Sequence, residues 1–214
     1  MSTEPAGSGG RHEPAGSGGR KEPAGSGGSN EPAGSGGSNE PELPHERTGA
    51  AGMAYRARAL AQAHPLTALA RRYLDAMVAR ERTSQPVPEI GIWAGAALLN
   101  GYCLRRVEEE ESGVHLEAVP EPAAYPDLER LDQVATDVAA DLRTEGAGGH
   151  ILADEDIVVD ALDDLVFSDV QRRLDHWRES IDDKAWDELT EYLTWWVVKG
   201  YALRVAETLT GALA

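Results

Sequence analysis

Two stretches of this chain carry the same pattern, Gly-Tyr-x-Leu-Arg-x-x-Glu. One is Gly101-Tyr102-Cys103-Leu104-Arg105-Arg106-Val107-Glu108; the other, 99 residues later, is Gly200-Tyr201-Ala202-Leu203-Arg204-Val205-Ala206-Glu207. In both, Arg follows Tyr by three residues and Glu follows Arg by three, the spacing at which side chains meet on one face of a helix. A shared Gly, Tyr, Leu, Arg and Glu in one register predicts two copies of one helix packed in related ways. The fold class that follows is all-α: a compact bundle of about six helices with an internal duplication about a pseudo-twofold axis. Arg71-Arg72-Tyr73-Leu74-Asp75 and Arg172-Arg173-Leu174-Asp175 extend the duplication, with a gap of one or two residues between the two alignments.

Periodicity places the remaining elements. Leu66, Leu69, Ala70, Tyr73, Leu74, Met77 and Val78 fall at offsets 0, 3, 4, 7, 8, 11 and 12, one stripe of a helix. Pro65 suits its first turn, and Thr83-Ser84-Gln85-Pro86 ends it. Residues 50 to 63, rich in Ala and Arg, predict a shorter helix ahead of it. The next helix starts near Pro88 and runs to Glu111. No charge occurs from Ile90 to Leu104, so this helix is expected at the centre, with Gly91 and Gly95 admitting a neighbour closely. Its uncharged stretch spans about 22 Å, too short for about 30 Å of hydrocarbon. A connection with a short extended piece at Val114-His115-Leu116-Glu117 follows. Leu128, Leu131, Val134, Ala135, Val138 and Leu142 then mark another helix, ended by Gly146-Ala147-Gly148-Gly149. Further helices are expected from Asp154 and from Ser168 to Glu179. The last follows a capping box at Ser180-Ile181-Asp182-Asp183 and reaches Thr210.

Residues 1 to 48 read differently. Four copies of Glu-Pro-Ala-Gly-Ser-Gly-Gly begin at Glu4, Glu13, Glu22 and Glu31, and Leu43 is the one large aliphatic residue after Met1. With so little to bury, this segment is expected to be a disordered tether whose root-mean-square span is about 35–40 Å. A period of nine excludes collagen, which requires Gly at every third position. The division expected is therefore 1–48 as a low-complexity repeat tail and 49–214 as an acidic helical domain.

Charge narrows the function classes. The net charge is −17; the tail holds seven carboxylates against four basic residues, so −14 falls on residues 49–214. Such a surface repels phosphate backbones and anionic lipid, which argues against nucleic acid and membrane as partners. A basic protein or a divalent cation fits better, and a second copy of the chain, as a homodimer, is the other partner expected. The lone cysteine, Cys103, allows no intrachain disulfide and lies in an apolar run, and no secretory signal pattern opens the chain. Both features point to the cytoplasm.

No signature of catalysis stands out. There is no Gly-x-Ser-x-Gly elbow, phosphate loop or His-Glu-x-x-His, so no catalytic residue, metal ligand or cofactor is assigned. Glu108 to Glu111 and the Asp154–Asp164 group read as solvated acidic faces, since Ile157-Val158-Val159 breaks a calcium-loop pattern. The sharpest candidates are Tyr102, Arg105, Glu108, Tyr201, Arg204 and Glu207. In one reading each Arg lies at a core edge, its stem covering apolar surface and its head paired with Glu. In the other, both guanidinium groups converge to hold a carboxylate or phosphate ligand. Trp195 and Trp196 point about 100° apart on a helix, which makes one of them a candidate interface residue. The leading expectation is a non-catalytic, cytoplasmic protein acting through protein–protein contacts, as an acidic regulatory or inhibitor-like partner. The alternative is a small-molecule-binding or catalytic bundle holding an anion with its paired Arg and Tyr.

Overall fold

The computed structural model describes residues 48–114, 127–144, 149–175 and 181–211. They form six helices: α1 (Gly49–Gln62), α2 (Ala68–Ser84), α3 (Pro88–Glu111), α4 (Leu128–Leu142), α5 (Glu155–Leu174) and α6 (Asp183–Leu209). No strand occurs among the described residues, and all six helices belong to one compact unit, Pro41–Ala214. The all-α expectation therefore holds. No described helix is long and apolar enough to cross a membrane. The repeat tail (1–47), the expected extended piece at 115–117 and the glycines at 146–148 lie outside the described residues.

α3 and α6 form the central pair. α1 and α2 pack on α3, α4 packs on α6, and α5 lies against α1, α6 and α3. The uncharged run of α3 explains its place: from Ala97 through Arg105 every residue is buried, as is every residue of α6 from Trp196 through Glu207. A helix that buries all its faces needs small residues where neighbours come closest. A Cβ on Gly101 would lie 1.8 Å from the Val197 carbonyl oxygen, and one on Gly200 would lie 1.9 Å from that of Leu98. The two helix backbones therefore touch at the motif glycines. Gly91 and Gly95 leave similar room for α2: a Cβ on Gly91 would lie 2.6 Å from Arg82 N, and one on Gly95 would lie 2.5 Å from the Val78 side chain at Cγ2.

Several boundaries differ from the sequence reading. α2 begins at Ala68, because Thr67 caps it by accepting a hydrogen bond from Ala70 N (3.0 Å), and Pro65 precedes the helix. The two helices expected from Asp154 and from Ser168 are one, α5. Ser168 Oγ bonds back to the Asp164 carbonyl at 2.7 Å, a geometry that keeps Ser inside a helix rather than capping a new one. α6 is capped by Asp182, which accepts from Ala185 N at 2.8 Å; Ser180, where the expected box starts, lies outside the described residues. α4 and α5 start on Asp127 and Asp154, each accepting a backbone N–H of its own first turn at 3.1 Å.

Because the α3–α6 contact is backbone on backbone, neither Gly101→Ala nor Gly200→Ala can be relieved by a side-chain rotation. Each is expected to lower stability by about 3 kcal/mol or more, seen in thermal melts as a fall of about 6–12 °C. Gly149→Ala, where an added Cβ meets nothing within 4 Å, is the control and should melt like the parent.

Candidate functional site

The paired motifs meet at the α3–α6 crossing. With the two glycines in contact, each tyrosine reaches past its own helix to the glutamate of the other. Tyr102 Oη donates to Glu207 Oε2 at 2.9 Å, and Tyr201 Oη donates to Glu108 Oε2 at 2.5 Å. Each arginine joins the same group from its own helix. Arg105 Nη1 donates to Glu108 at 2.6 Å and to the Tyr201 hydroxyl at 2.9 Å; Arg204 Nη1 donates to Glu207 at 3.3 Å and to the Tyr102 hydroxyl at 3.4 Å. The guanidinium groups also lie over the opposite tyrosine rings, Arg105 at 5.3 Å from the Tyr201 centroid and Arg204 at 5.8 Å from that of Tyr102. All six candidate residues named from the sequence are thus brought together.

Their setting is deeper than a core edge. Arg105 and Arg204 are 7% and 5% exposed, and both tyrosines and both glutamates are fully buried. Glu109 joins them: Arg204 grips it through Nε and Nη2, both at 3.0 Å from Oε2, and Arg105 Nε lies 3.4 Å from Oε1. The expected solvated run Glu108–Glu111 is therefore split. Glu108 and Glu109 face inward as counter-charges, while Glu110 and Glu111 are exposed, Glu111 pairing with Arg56.

The far side of each glutamate holds a loop. Glu108 Oε1 accepts from the backbone N–H groups of Leu152 (2.6 Å) and Ala153 (2.9 Å), just before α5, where Arg105 also donates to the His150 carbonyl at 2.7 Å. Glu207 Oε1 accepts from the hydroxyl of Thr67, the cap of α2, and Arg106 donates to the Pro65 carbonyl of the same loop at 2.6 Å. One motif thereby fixes the start of α5 and the other the start of α2.

Electrostatics follow from this enclosure. Burial pushes the Tyr102 hydroxyl well above its ordinary value, with Glu207 adding to the shift and Arg204 opposing it. Tyr201 is raised likewise, with Arg105 opposing and Glu108 adding. Burial also raises Glu207, outweighing the hydrogen bonds from Thr67, Arg204 and Tyr102. The Cys103 thiol is pushed up to about 12 by burial, only partly offset by Arg106, which leaves it a poor nucleophile at neutral pH. Three buried carboxylates thus face two guanidinium groups, and an additional anion placed here would meet negative charge.

Two other clusters were not foreseen. Lys199 Nζ, 4% exposed, pairs with Asp132 of α4 at 2.8 Å, and the Tyr73 hydroxyl donates to the same carboxylate. Glu81, at the end of α2, accepts from Tyr192 Oη at 2.7 Å and from Arg80 Nε at 3.0 Å. The one available signal was Lys199 itself, a charge inside the otherwise apolar run before Gly200. Trp196 is 3% exposed, edge-on to Tyr192 with centroids 6.1 Å apart; Trp195 is half-buried beneath Arg143 and Lys199. Among the described residues no three His, Cys, Asp or Glu side chains gather as a metal site.

No family model, no curated protein and no solved structure matches this chain.

Arg105→Ala or Arg204→Ala leaves buried carboxylates without their counter-charge. Each is expected to lower stability by about 3–5 kcal/mol, measured by urea denaturation. The pH dependence separates two carboxylates of opposite sign. Burial raises Asp132, but hydrogen bonds from Lys199 and Tyr73 more than reverse this and hold it below its unfolded value of 3.8. Its contribution is full above that value and lost as pH falls through the folded one. Glu207 is held above its unfolded value of 4.5, so the native state binds the extra proton and stability declines as pH rises through that window. Asp132→Asn should therefore flatten the acid limb of the stability–pH curve, and Glu207→Gln should remove a decline on its neutral side.

Proposed function

We propose that this chain is a non-catalytic, cytoplasmic protein that acts through protein–protein contacts, with a basic protein as the favoured partner. The observation that carries this reading is the closure of the paired-motif network. Arg105 and Arg204, the groups best suited to grip an anionic ligand, are each held by carboxylates and tyrosine hydroxyls at 2.6–3.4 Å. Binding a ligand there would require breaking those bonds beneath less than 10% exposure and adding negative charge beside three carboxylates. The network reads instead as the device that fixes two loops and two helices. The reciprocal hydrogen bonds also support treating the two motif helices, α3 and α6, as related copies.

The outer surface supports the same reading. Residues 49–214 carry a net −14, and Asp154, which caps α5, and Glu155, Asp156, Asp160 and Asp163 within it are all exposed. A field of this sign steers cationic surfaces and repels nucleic acid and anionic lipid. An inhibitor-like or regulatory role fits a rigid, acidic, helical surface.

A native mass spectrum of the untagged protein, taken from its source lysate, tests the reading. The expected species is the chain with another polypeptide. A small added mass that disappears in Arg204→Ala would overturn the proposal in favour of an anion-binding bundle. With the partner in hand, raising ionic strength from about 50 to about 300 mM should slow association severalfold; an on-rate indifferent to salt would contradict electrostatic steering.

A further inference from the structure

A groove of about 350 Å³ opens between α5 and α6. Asp163, Val166 and Phe167 line it from α5, and Trp186, Thr190 and Thr194 line it from α6. Phe167 is the only phenylalanine in the chain and is 64% exposed, more than any other large apolar side chain among the described residues. Val159, two turns earlier on α5, is also exposed, at 39%. The buried Thr190 Oγ1 at the groove makes no hydrogen bond among the described residues. An aromatic ring in water beside an apolar cleft loses the burial that would stabilise it by about 25 cal/mol per Å², and such positions recur at the anchor points of protein interfaces.

The charge around the groove says what would cover it. Asp156, Asp160, Asp163, Phe167 and Gln171 are all exposed and follow one another at steps of four, three, four and four, one outward stripe of α5. On α6, Asp187 and Glu191 follow the lining residues Trp186 and Thr190 in sequence and are exposed, Glu191 being paired with Arg143. Among the described cations of this region, Arg58 of α1 is paired with Asp164 and bonded to Ser168, Arg143 with Glu191 and Lys184 with Glu188, while Arg172 is exposed one residue beyond the stripe. The groove thus has Asp163 in an otherwise apolar and uncharged lining, with Asp156 and Asp160 further along the same exposed stripe of α5. From Asp156 to Phe167 the stripe runs about 16 Å along the helix axis, matching three turns of a partner helix.

We propose that this surface docks a cationic amphipathic helix of a partner protein. Its apolar side would insert between Phe167 and Trp186, and its Lys or Arg side chains would lie over Asp156, Asp160 and Asp163. This is the helix-in-groove mode, in which one amphipathic face supplies both the anchors and the charges. A second copy of the chain fits poorly, since self-pairing would set the aspartates of one α5 against those of the other. The proposal rests on the reading of the protein as a contact module and names the surface and the chemistry of its partner.

The test uses the full-length protein and a fluorescein-labelled 18-residue peptide of Lys and Leu, with leucines at helical i, i+3, i+4 spacing, followed by anisotropy. Phe167→Ala, which changes no charge, is expected to weaken binding at least tenfold with an unchanged melting curve. Asp160→Lys with Asp163→Lys should do the same. Glu129→Lys with Asp137→Lys, an equal charge change on the exposed side of α4, should leave affinity within twofold. Absence of binding by the parent, indifference to Phe167→Ala, or equal loss in both double-lysine variants would overturn the proposal. So would a dimer in native mass spectra that Phe167→Ala dissolves, since the occupant would then be a second copy. A lysate complex that survives Phe167→Ala would remove this surface and leave the contact-module reading intact, whereas no complex at all would remove that reading while the peptide arms still decide the surface.

Discussion

Where α3 and α6 cross, two backbones touch. At Gly101 and Gly200, α3 and α6 approach until each glycine's missing side chain is replaced by a carbonyl of the other helix. That distance decides everything built around it. Only at this separation does a tyrosine, one residue beyond each glycine, reach the glutamate of the opposite helix. Only with the glutamates held there do their second oxygens meet the loops that start α2 and α5. A methyl group at either glycine would push the helices apart and lengthen several hydrogen bonds together. Local chemistry and global arrangement are therefore coupled through one steric constraint.

The buried polar groups then act on the specificity of the fold. Arg105, Arg204, Glu108, Glu109 and Glu207 are costly to remove from water, and the cost is offset only while each keeps its partners. Any alternative packing of these helices that leaves one of them alone is strongly disfavoured. Lys199 with Asp132 ties α6 to α4, and Tyr192 with Glu81 ties α6 to α2. The interior is thus cross-linked by neutralised charge, while the outward face of α5 carries exposed carboxylates and an exposed phenylalanine. Polar chemistry inside holds the shape.

Much of the fold was legible because its signals are local. The stripe from Leu69 to Val78, the uncharged run of α3 and the stripe of α4 each report a buried face directly. The two motifs announced themselves by repetition, and all six of their chemical residues do converge. Their burial was not legible, because Arg-x-x-Glu on a helix looks the same whether it faces solvent or a neighbour 99 residues away. Glu109 illustrates this. It sits in a run of four carboxylates, and only the arrival of Arg204 from α6 makes it an interior residue. Lys199 with Asp132, and Glu81 with Tyr192, are likewise pairs between helices, invisible to any rule that reads one helix at a time. The misplaced start of α2 has another cause: Pro65 is an ordinary start signal, but Thr67 stands closer to the first turn and captures one of its free N–H groups.

A double-mutant cycle between Tyr102→Phe and Glu207→Gln, read by equilibrium denaturation at neutral pH, tests the central claim most directly. The claim is that the repeated motif is one closed network exchanged between α3 and α6. The two residues are 105 positions apart, so a coupling energy of about 1 kcal/mol or more is the expected result, matched by the same cycle on Tyr201 and Glu108. Additivity within about 0.3 kcal/mol would mean that the tyrosine and the glutamate do not meet across the crossing, and would contradict the account.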